Sequence, residues 1–367
     1  MQENLYFLWN NDMNFTLHLT EQCNMDCIYC IHEKKNISMA MGTLKAACDL
    51  AFSIGTRAGL CFFGGEPMLE REKIEWALDY CEEKSRITGM PFSSKMTTNG
   101  TLLDEEFILR AKRSGMVIGL SFDGTAQKIS RKYKGGGDSF EDIERISKML
   151  LREMPDSYAM LTLAPEAVSM FYESVKYLYG LGFRKMTATI AYGKRAVWTD
   201  EQIGILRNEF LRIADFFEEC FLSAQPFFFS PFDSKIRECI AGFNPAERCH
   251  LGFRQMPVAP NGRIYACTQF IGDEEYSLGA VFSGIDTQKQ INLAKHSSVP
   301  KECLECELKS RCTNSCGCVN RLETGNESKI SPLQCTYERM VIEISDGIAE
   351  RLFEKSREKF IMRFGKI

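Results

Sequence analysis

The chain has 367 residues, with 45 Lys and Arg against 49 Asp and Glu, so its formal net charge is −4. This charge excludes a strongly basic nucleic-acid-binding protein, and the ordinary mixture of 44% hydrophobic and 26% charged residues excludes a disordered chain. No apolar run approaches the roughly 18 residues that cross a bilayer, and the N-terminus lacks the pattern of a secretory signal. We therefore expect a cytoplasmic protein that binds neither nucleic acid nor membrane.

Strand-like and helix-like patterns alternate along the first 225 residues. Alternation of this kind predicts an α/β fold with a parallel sheet and crossover helices, and six units predict a partial barrel. The predicted strands are 14–20, 59–63, 93–98, 116–122, 157–163 and 185–191. The predicted helices are 42–55, 71–88, 104–114, 139–153, 168–180 and 200–224.

Unusual residues follow four consecutive predicted strands. They are a cysteine triplet, Gly64-Gly65-Glu66-Pro67, Thr97-Thr98-Asn99-Gly100 and Ser121-Phe122-Asp123-Gly124. Each glycine-containing segment is also typical of a simple turn. All four lie at the C-terminal ends of parallel strands, where barrel folds build active sites, so together they predict a functional face.

Sixteen cysteines are far more than a cytosolic chain of this length needs for packing. A chain this long buries a core without disulfides, which favours thiolate ligation of metal. Four scattered cysteines lie in apolar helix or strand patterns and are expected in the core: Cys48, Cys61, Cys81 and Cys220.

The triplet Cys23-x3-Cys27-x2-Cys30 has the chemistry of an iron–sulfur loop. Three thiolates hold three irons of a [4Fe–4S] cube and leave the fourth iron open to a small chelating ligand. A zinc site completed by His32 is the alternative, although zinc sites usually show two separated cysteine pairs.

The triplet, with the sequence CNMDCIYC, and Gly64-Gly65-Glu66-Pro67 resemble two motifs of the radical S-adenosylmethionine (SAM) superfamily. The resemblance covers residues 14 to about 225 and implies a partial (β/α)6 TIM-like barrel. It also implies an oxidoreductase in which SAM binds the open iron and yields a 5′-deoxyadenosyl radical that abstracts a substrate hydrogen. An anaerobic or low-oxygen organism would suit this chemistry.

The resemblance also implies contacts to SAM, although it assigns no catalytic side chain. The implied contacts are Tyr29 at the adenine, Gly64, Gly65 and Glu66 at the amino group, Asn99 near the cofactor, Ser121 at the ribose and Arg131 at the carboxylate. Two of these have simpler alternatives, since Asn99 is also a turn former and Arg131 is also explained as a solvated loop charge.

The last third carries a second cysteine pattern, Cys249-x12-Gly262-x4-Cys267 followed by Cys303-x2-Cys306-x5-Cys312-x3-Cys316 and then Cys335. It resembles the SPASM domain, which implies two auxiliary clusters and three [4Fe–4S] clusters in all. A zinc ribbon is the alternative, but it leaves three of the seven cysteines unexplained. The implied outer-cluster ligands are Cys303, Cys306, Cys312 and Cys335, and the implied inner-cluster ligands are Cys249, Cys267 and Cys316.

The inner cluster has no fourth cysteine where relatives often carry one. Cys239, His250 and Cys318 are the candidates, and the remaining alternative is an open iron that binds a substrate thiolate. The predicted domain order is an extension at 1–13, the barrel at 14–225, a small Cys-rich α+β SPASM domain with little regular structure at 226–340, and a helix at 341–367.

Two peptide-modifying subfamilies fit this organisation. Residues 264–279 resemble maturases that form thioether crosslinks in ribosomally synthesised Cys-rich peptides of the ranthipeptide or sactipeptide type. Anaerobic sulfatase-maturating enzymes are the alternative, but they carry an Asp proton acceptor where this chain has Thr268, whose hydroxyl cannot take that role. A non-catalytic iron–sulfur or zinc protein, or an electron carrier, would leave the Gly64–Pro67 motif unexplained.

The implied partners are a Cys-containing precursor peptide and a flavodoxin- or ferredoxin-like electron donor. Only thirteen residues precede the first predicted strand, so we expect leader recognition by the barrel–SPASM surface or by a separate leader-binding protein.

Overall fold

Parallel strands alternate with helices in the order that the sequence predicts. A computed structural model describes residues 14–223, 225–241, 251–253, 255–296, 301–312 and 316–365. The first six strands are β1 Asn14–Thr20, β2 Ala58–Gly64, β3 Phe92–Thr98, β4 Val117–Ser121, β5 Tyr158–Leu163 and β6 Lys185–Ile190. Each lies within two residues of its predicted bounds. Among the described residues, no helix combines the length and apolar character needed to cross a membrane.

The helices of the first half mostly follow the predictions, although the first helix ends four residues before its predicted bound and the short helix Gln127–Ser130 was not predicted. They are α1 Met41–Ala51, α2 Arg71–Thr88, α3 Glu105–Arg113, the short α4 Gln127–Ser130, α5 Phe140–Glu153, α6 Phe171–Leu181 and α7 Asp200–Leu222. Local sequence explains where several begin and end. Asp104 accepts a hydrogen bond from the Phe107 amide at the start of α3, and Gly89 ends α2 in a left-handed conformation with φ of 71°.

The described residues form two compact units. The first comprises residues 14–24, 31–120, 251–253 and 255–296. In it, β1 pairs in parallel with β2, β2 with β3, and β3 with β4. On its other side β1 pairs in parallel with β8, Gln255–Val258, and an antiparallel series follows. That series and its helix are β9 Arg263–Tyr265, β10 Ser277–Ala280, β11 Gly284–Ile285 and α9 Thr287–His296.

The second unit comprises residues 25–30, 121–241 and 301–365 of the described chain. Its strands β5 and β6 pair in parallel, and β6 pairs in parallel with β7, Phe228–Phe229. Its later helices are α8 Ser230–Ala241, α10 Gly317–Thr324, α11 Pro332–Lys355 and α12 Arg357–Phe364. Buried aromatic rings fill the core of this unit: Phe171, Phe210, Phe217, Phe227, Phe229 and Phe232.

Two features differ from the sequence expectations. The helix predicted at 341–367 is two helices, and α11 begins nine residues earlier than predicted because Ser331 caps the Gln334 amide ahead of Pro332. Cys335 therefore lies in the first turn of a long helix. The predicted domain boundaries do not coincide with the two units and stay a prediction. Cys48, Cys61, Cys81 and Cys220 are all buried, as expected.

Candidate active site

In the first unit, the segment after β2 runs beside the chain that leads into the cysteine triplet. The Gly65 amide donates to the Thr20 carbonyl at 2.8 Å, and the Glu66 amide donates to the Gln22 carbonyl at 2.8 Å. A Cβ atom on Gly65 would stand 1.9 Å from the Gln22 carbonyl oxygen. Glycine at 65 is therefore required for this close backbone approach.

This close approach predicts the effect of a methyl group. Gly65→Ala should push the two segments apart and cost about 1–3 kcal/mol of stability, as overpacking does. Gly42→Ala is the matched control, since it lies in α1 with nothing within 4 Å of its Cβ position. The Tm of both variants is measured by thermal unfolding. Equal Tm values for Gly65→Ala and wild type would show that the two segments can move apart without loss of stability.

Glu66 is a buried carboxylate that neutral donors hold in place. Its Oε1 accepts hydrogen bonds from the Thr98 hydroxyl at 2.6 Å and the Met68 amide at 3.0 Å, and its Oε2 accepts from the Asn99 amide at 2.8 Å. The side chain is 1% exposed. Among the described residues, no Lys, Arg or His forms a salt bridge with it. Burial raises the pKa of Glu66 from 4.5 to about 7 despite the three hydrogen bonds.

Asn99 connects the end of β3 to the start of the cysteine triplet. Its Nδ2 donates to Asn24 Oδ1 at 2.8 Å and lies 3.9 Å from Cys23 Sγ. Its Oδ1 accepts from the amide and the hydroxyl of Thr101. Asn99 does form a turn, but its amide group also orients the triplet's first cysteine.

The second unit holds the other two cysteines of the triplet on a short turn, in which the Cys30 amide donates to the Cys27 carbonyl at 3.0 Å. This turn pairs with the segment after α4. The Asp26 amide donates to the Lys132 carbonyl at 2.7 Å, and the Ile28 amide donates to the Ser130 carbonyl at 3.0 Å. The carbonyls of Ser130 and Lys132 therefore hold the turn that carries Cys27 and Cys30.

Arg131 is not the solvated loop charge that the sequence left as an alternative, because it is only 7% exposed. Its Nε and Nη2 donate to the two oxygens of Asp123 at 2.9 and 3.0 Å. Burial acts to lower the pKa of Arg131, but the Asp123 carboxylate outweighs it and raises that pKa. Within the described part of the chain, no acceptor takes a hydrogen bond from Arg131 Nη1.

Tyr29 is half-buried in the same unit. Its hydroxyl donates to Asp123 Oδ2 at 2.8 Å, and its ring centre lies 5.4 Å from the Arg131 guanidinium carbon. Burial raises the pKa of Tyr29 well above 10, so the phenol stays protonated as a donor. Ser121 ends β4 and is half-buried.

The predicted outer-cluster cysteines occupy one region of the second unit. The Cys306 amide donates to the Cys303 carbonyl at 3.1 Å, as expected for a C-x2-C turn. Burial, together with the nearby sulfurs of Cys335 and Cys306, raises the pKa of Cys303. The Arg339 guanidinium interacts with Cys335, Cys306 and Cys312, and its Nη2 lies 3.6 Å from Cys306 Sγ.

The predicted inner-cluster cysteines are described only in part. Cys249 and the candidate ligand His250 lie outside the described residues. Cys267 follows β9, and its Sγ lies 3.9 Å from the Thr268 hydroxyl. Cys316 Sγ lies 3.4 Å from the buried Cys318 Sγ. Cys239 is exposed at the end of α8, within electrostatic range of Arg311.

In the part of the chain that the structure describes, no three His, Cys, Asp or Glu side chains are arranged to hold a single metal ion. The assignment of ligands to clusters stays a prediction.

Comparison with known families identifies one domain of the chain. Residues 17–189 match the radical SAM superfamily. The chain carries a radical SAM domain. The predicted radical SAM domain and the prediction of an enzyme are thereby confirmed, and a domain of this kind implies SAM and an iron–sulfur cluster as cofactors.

Two curated relatives show how far the similarity extends. An uncharacterized protein of Methanocaldococcus jannaschii is 29% identical over 182 residues, which are 49% of this chain and 63% of that protein. A cysteine-type anaerobic sulfatase-maturating enzyme of Clostridium perfringens is 23% identical over 80% of this chain and 85% of that protein.

Solved structures extend the similarity to the whole fold. The structure described as histidine-tagged anSMEcpe with bound AdoMet has a TM-score of 0.81 at 18% identity, covering 96% of this chain and 98% of that one. Streptococcus suis SuiB bound to precursor peptide SuiA has a TM-score of 0.66 at 15% identity, covering 91% and 78%. The predicted α/β fold with the parallel core of a radical SAM partial barrel is confirmed.

Proposed function

We propose that the chain is a radical SAM peptide maturase with a SPASM-type C-terminal region, which forms a thioether crosslink from a Cys in a ribosomal precursor peptide. Its cofactors would be SAM and three [4Fe–4S] clusters. The likeness to a SuiB structure that holds a precursor peptide supports a peptide substrate. The observation that carries the SAM-dependent part is Glu66, a buried carboxylate whose described partners are all neutral donors.

Glu66 fits the amino group of SAM on physical grounds. A buried carboxylate without a cation is costly, and its raised pKa is the expression of that cost. An ammonium group would supply the missing charge and a charge-assisted hydrogen bond. SAM carries such a group, and the Glu66 carboxylate is held by a rigid frame from β2 and β3, so it would orient the amino acid part of SAM with little reorganisation.

The other proposed contacts assign each remaining part of SAM to a different side chain. Tyr29 would lie against the adenine, Ser121 would hydrogen-bond the ribose, and Arg131 would use Nη1 for the carboxylate, since Asp123 occupies its Nε and Nη2. Cys23, Cys27 and Cys30 would hold the reduced cluster, and SAM bound there would supply the 5′-deoxyadenosyl radical. These side chains would bind SAM, orient it and shield it from solvent.

Formation of the thioether removes two hydrogens from the peptide and releases one electron. The acceptor carbon of the peptide loses a hydrogen atom, the Cys thiol loses a proton, and one electron is released as the C–S bond forms. The proposed auxiliary clusters are suitable acceptors for that electron. Cys303, Cys306, Cys312 and Cys335 would hold the outer cluster, and Cys249, Cys267 and Cys316 the inner one.

Thr268 separates the two candidate reactions. A sulfatase-maturating reaction of the kind named among the relatives would need a proton acceptor after the second SPASM cysteine, and the Thr268 hydroxyl is not basic enough. That hydroxyl instead lies against Cys267 Sγ. The similarity over 80% of the chain to sulfatase-maturating enzymes keeps formylglycine formation as the second candidate.

Co-expression with a Cys-containing precursor peptide tests the function. We expect 5′-deoxyadenosine and a peptide whose mass is lower by two hydrogens for each crosslink, with the Cys no longer reactive to alkylating reagents. The reaction needs a flavodoxin- or ferredoxin-like donor, and a separate leader-binding protein is added in a parallel culture. A product that instead reacts as an aldehyde would replace the thioether proposal with the second candidate. Absence of 5′-deoxyadenosine under all conditions would reject both.

The raised pKa of Glu66 predicts a pH-dependent affinity for SAM. With a pKa of about 7, Glu66 loses its charge as the pH falls, so SAM binding should weaken between about pH 8 and pH 6. Glu66→Gln should bind SAM about tenfold more weakly, ~1.5 kcal/mol, and should lose this pH dependence. Equilibrium dialysis with labelled SAM measures both effects.

The raised pKa of Glu66 also predicts how the stability of the SAM-free protein changes with pH. Since the folded pKa lies above the usual value of 4.5, the native state binds more protons than the unfolded state between these two values, and stability should fall as pH rises through that window. Glu70→Gln is the matched control, because Glu70 pairs with Lys73 at 2.6 Å. If Glu66→Gln and Glu70→Gln change the pH dependence of stability to the same extent, the Gly-Gly-Glu segment is only a turn.

A further inference from the structure

Asp123 is the most heavily hydrogen-bonded side chain near the cysteine triplet in the second unit, and the sequence marks it only as part of an Asp-Gly turn. It is 2% exposed. Its Oδ2 accepts from the Tyr29 hydroxyl at 2.8 Å, the Ser130 hydroxyl at 2.6 Å and Arg131 Nε at 2.9 Å. Its Oδ1 accepts from Arg131 Nη2 at 3.0 Å and the Thr162 amide at 2.8 Å.

Five donors leave the carboxylate of Asp123 with little capacity to accept a further ligand. A carboxylate has about four lone-pair sites, and here each oxygen already has two or three partners. Asp123 is therefore suited to hold other side chains rather than to contact a cofactor. The Arg131 pair is bidentate, which fixes the plane of the guanidinium group as well as its distance.

Two of the groups that Asp123 fixes are proposed to contact opposite ends of SAM. Tyr29 is held at its hydroxyl, so its ring cannot rotate away, and Arg131 is held on one edge, so Nη1 is the free edge of its guanidinium. A third donor, Ser130, begins the segment whose carbonyls accept the Asp26 and Ile28 amides of the triplet loop. One carboxylate thus joins the cluster loop, an aromatic ring and a cation.

We propose that Asp123 is a positioning residue for SAM: by accepting hydrogen bonds from Tyr29 and Arg131 together, it fixes the ring and the guanidinium in the arrangement that binds the cofactor. This inference rests on the proposed SAM-dependent function. The step from Asp123 to the cofactor runs only through these two side chains. Preorganisation of this kind lowers the entropy that binding would otherwise cost.

Asp123→Asn tests the proposal, because it keeps the shape but places an amide NH2 or a neutral oxygen against donors. We expect KM and Kd for SAM to rise roughly tenfold or more while kcat for 5′-deoxyadenosine changes less and iron content stays at the wild-type level. The matched control is Asp233→Asn, since Asp233 is also fully buried and also accepts hydrogen bonds from the Nε and Nη2 of an arginine, Arg363. It should lower Tm without changing the affinity for SAM.

A second pair of variants keeps the test decisive if Asp123→Asn does not fold. Tyr29→Phe removes one donor to Asp123 and keeps the ring, and it should raise Kd for SAM roughly threefold. Tyr133→Phe removes a hydroxyl that donates at the same 2.8 Å to the exposed Asp142, and it should leave Kd unchanged. In the double variant of Asp123 and Tyr29, the rise in Kd should be smaller than the product of the two single rises.

The outcomes of these experiments distinguish failure of the positioning role from failure of the proposed function. Equal SAM affinities for Asp123→Asn and Asp233→Asn at equal Tm, or for Tyr29→Phe and Tyr133→Phe, overturn the positioning role. Loss of iron from Asp123→Asn in parallel with loss of SAM binding overturns it as well, because the carboxylate would then support only the cluster. A wild-type protein that carries iron but neither binds nor cleaves SAM refutes the proposed function instead.

Discussion

Cys27→Ala is expected to abolish formation of 5′-deoxyadenosine and to lower the iron content of the reconstituted protein by about a third. Two remaining thiolates cannot retain an active cube, whereas the two auxiliary clusters use other cysteines and should survive. The same result is expected for Cys23→Ala and Cys30→Ala. Iron analysis, absorption spectra and a SAM cleavage assay on anaerobically reconstituted protein give the three measurements.

A buried cysteine outside the clusters provides the control for these variants. Cys220 lies in α7 and is 4% exposed, so Cys220→Ala should cost some stability but no iron. Complete loss of iron from the triple variant of Cys23, Cys27 and Cys30 would contradict a three-cluster protein. Undiminished iron in that variant would show that the triplet is not a cluster loop, and zinc analysis would then test the site with His32.

The elements of the first half were predictable because their patterns are local. α2 is an example, since both its bounds at 71 and 88 follow from an amphipathic run that Gly89 ends. Where long-range packing decides, the prediction was less accurate. The start of the C-terminal helix at Pro332 was missed although its signal, the cap by Ser331, is local. The packing of its apolar residues along α7 and α8, by contrast, is long-range, and a single segment cannot reveal it.

The candidate site was predictable where a short motif carries the chemistry and was missed where the partners are distant in sequence. Glu66 stands in a four-residue motif. Asp123 is 94 residues from the Tyr29 hydroxyl and 39 residues from the Thr162 amide, so nothing local distinguishes it from an ordinary turn residue. Arg131 shows the same limit, since only its burial against Asp123 separates a bound cation from a solvated one.

The 3.4 Å separation of Cys316 and Cys318 bears on the open position of the inner cluster. Each iron of a cube takes one thiolate. The two sulfurs stand within hydrogen-bonding distance of each other. The geometry suits a thiol that donates to a neighbouring sulfur, and Cys318 is therefore expected to support Cys316 without ligating iron itself.

This distinction predicts opposite results for variants of Cys316, the N-cap residue of α10, and of Cys318, which lies in the first turn of α10. Cys316→Ala should lose about a third of the iron, whereas Cys318→Ala should keep it and shift only the cluster's reduction potential, because a hydrogen bond to a ligand sulfur tunes that potential. Cys239→Ala should also keep its iron. Loss of iron from Cys318→Ala or Cys239→Ala would identify the fourth ligand and close the site.

With the fourth position open, a Cys-containing peptide should perturb the absorption spectrum of the inner cluster, and the same peptide with Ser in place of Cys should not, because a hydroxyl is a poor ligand for soft iron. Cys316→Ala should remove the perturbation, and Cys318→Ala should preserve it. Binding at iron would keep the peptide sulfur deprotonated, as thioether formation requires. If the Cys peptide leaves the spectrum unchanged while it is still modified, the auxiliary clusters only carry electrons, and formylglycine formation regains equal standing with the thioether reaction.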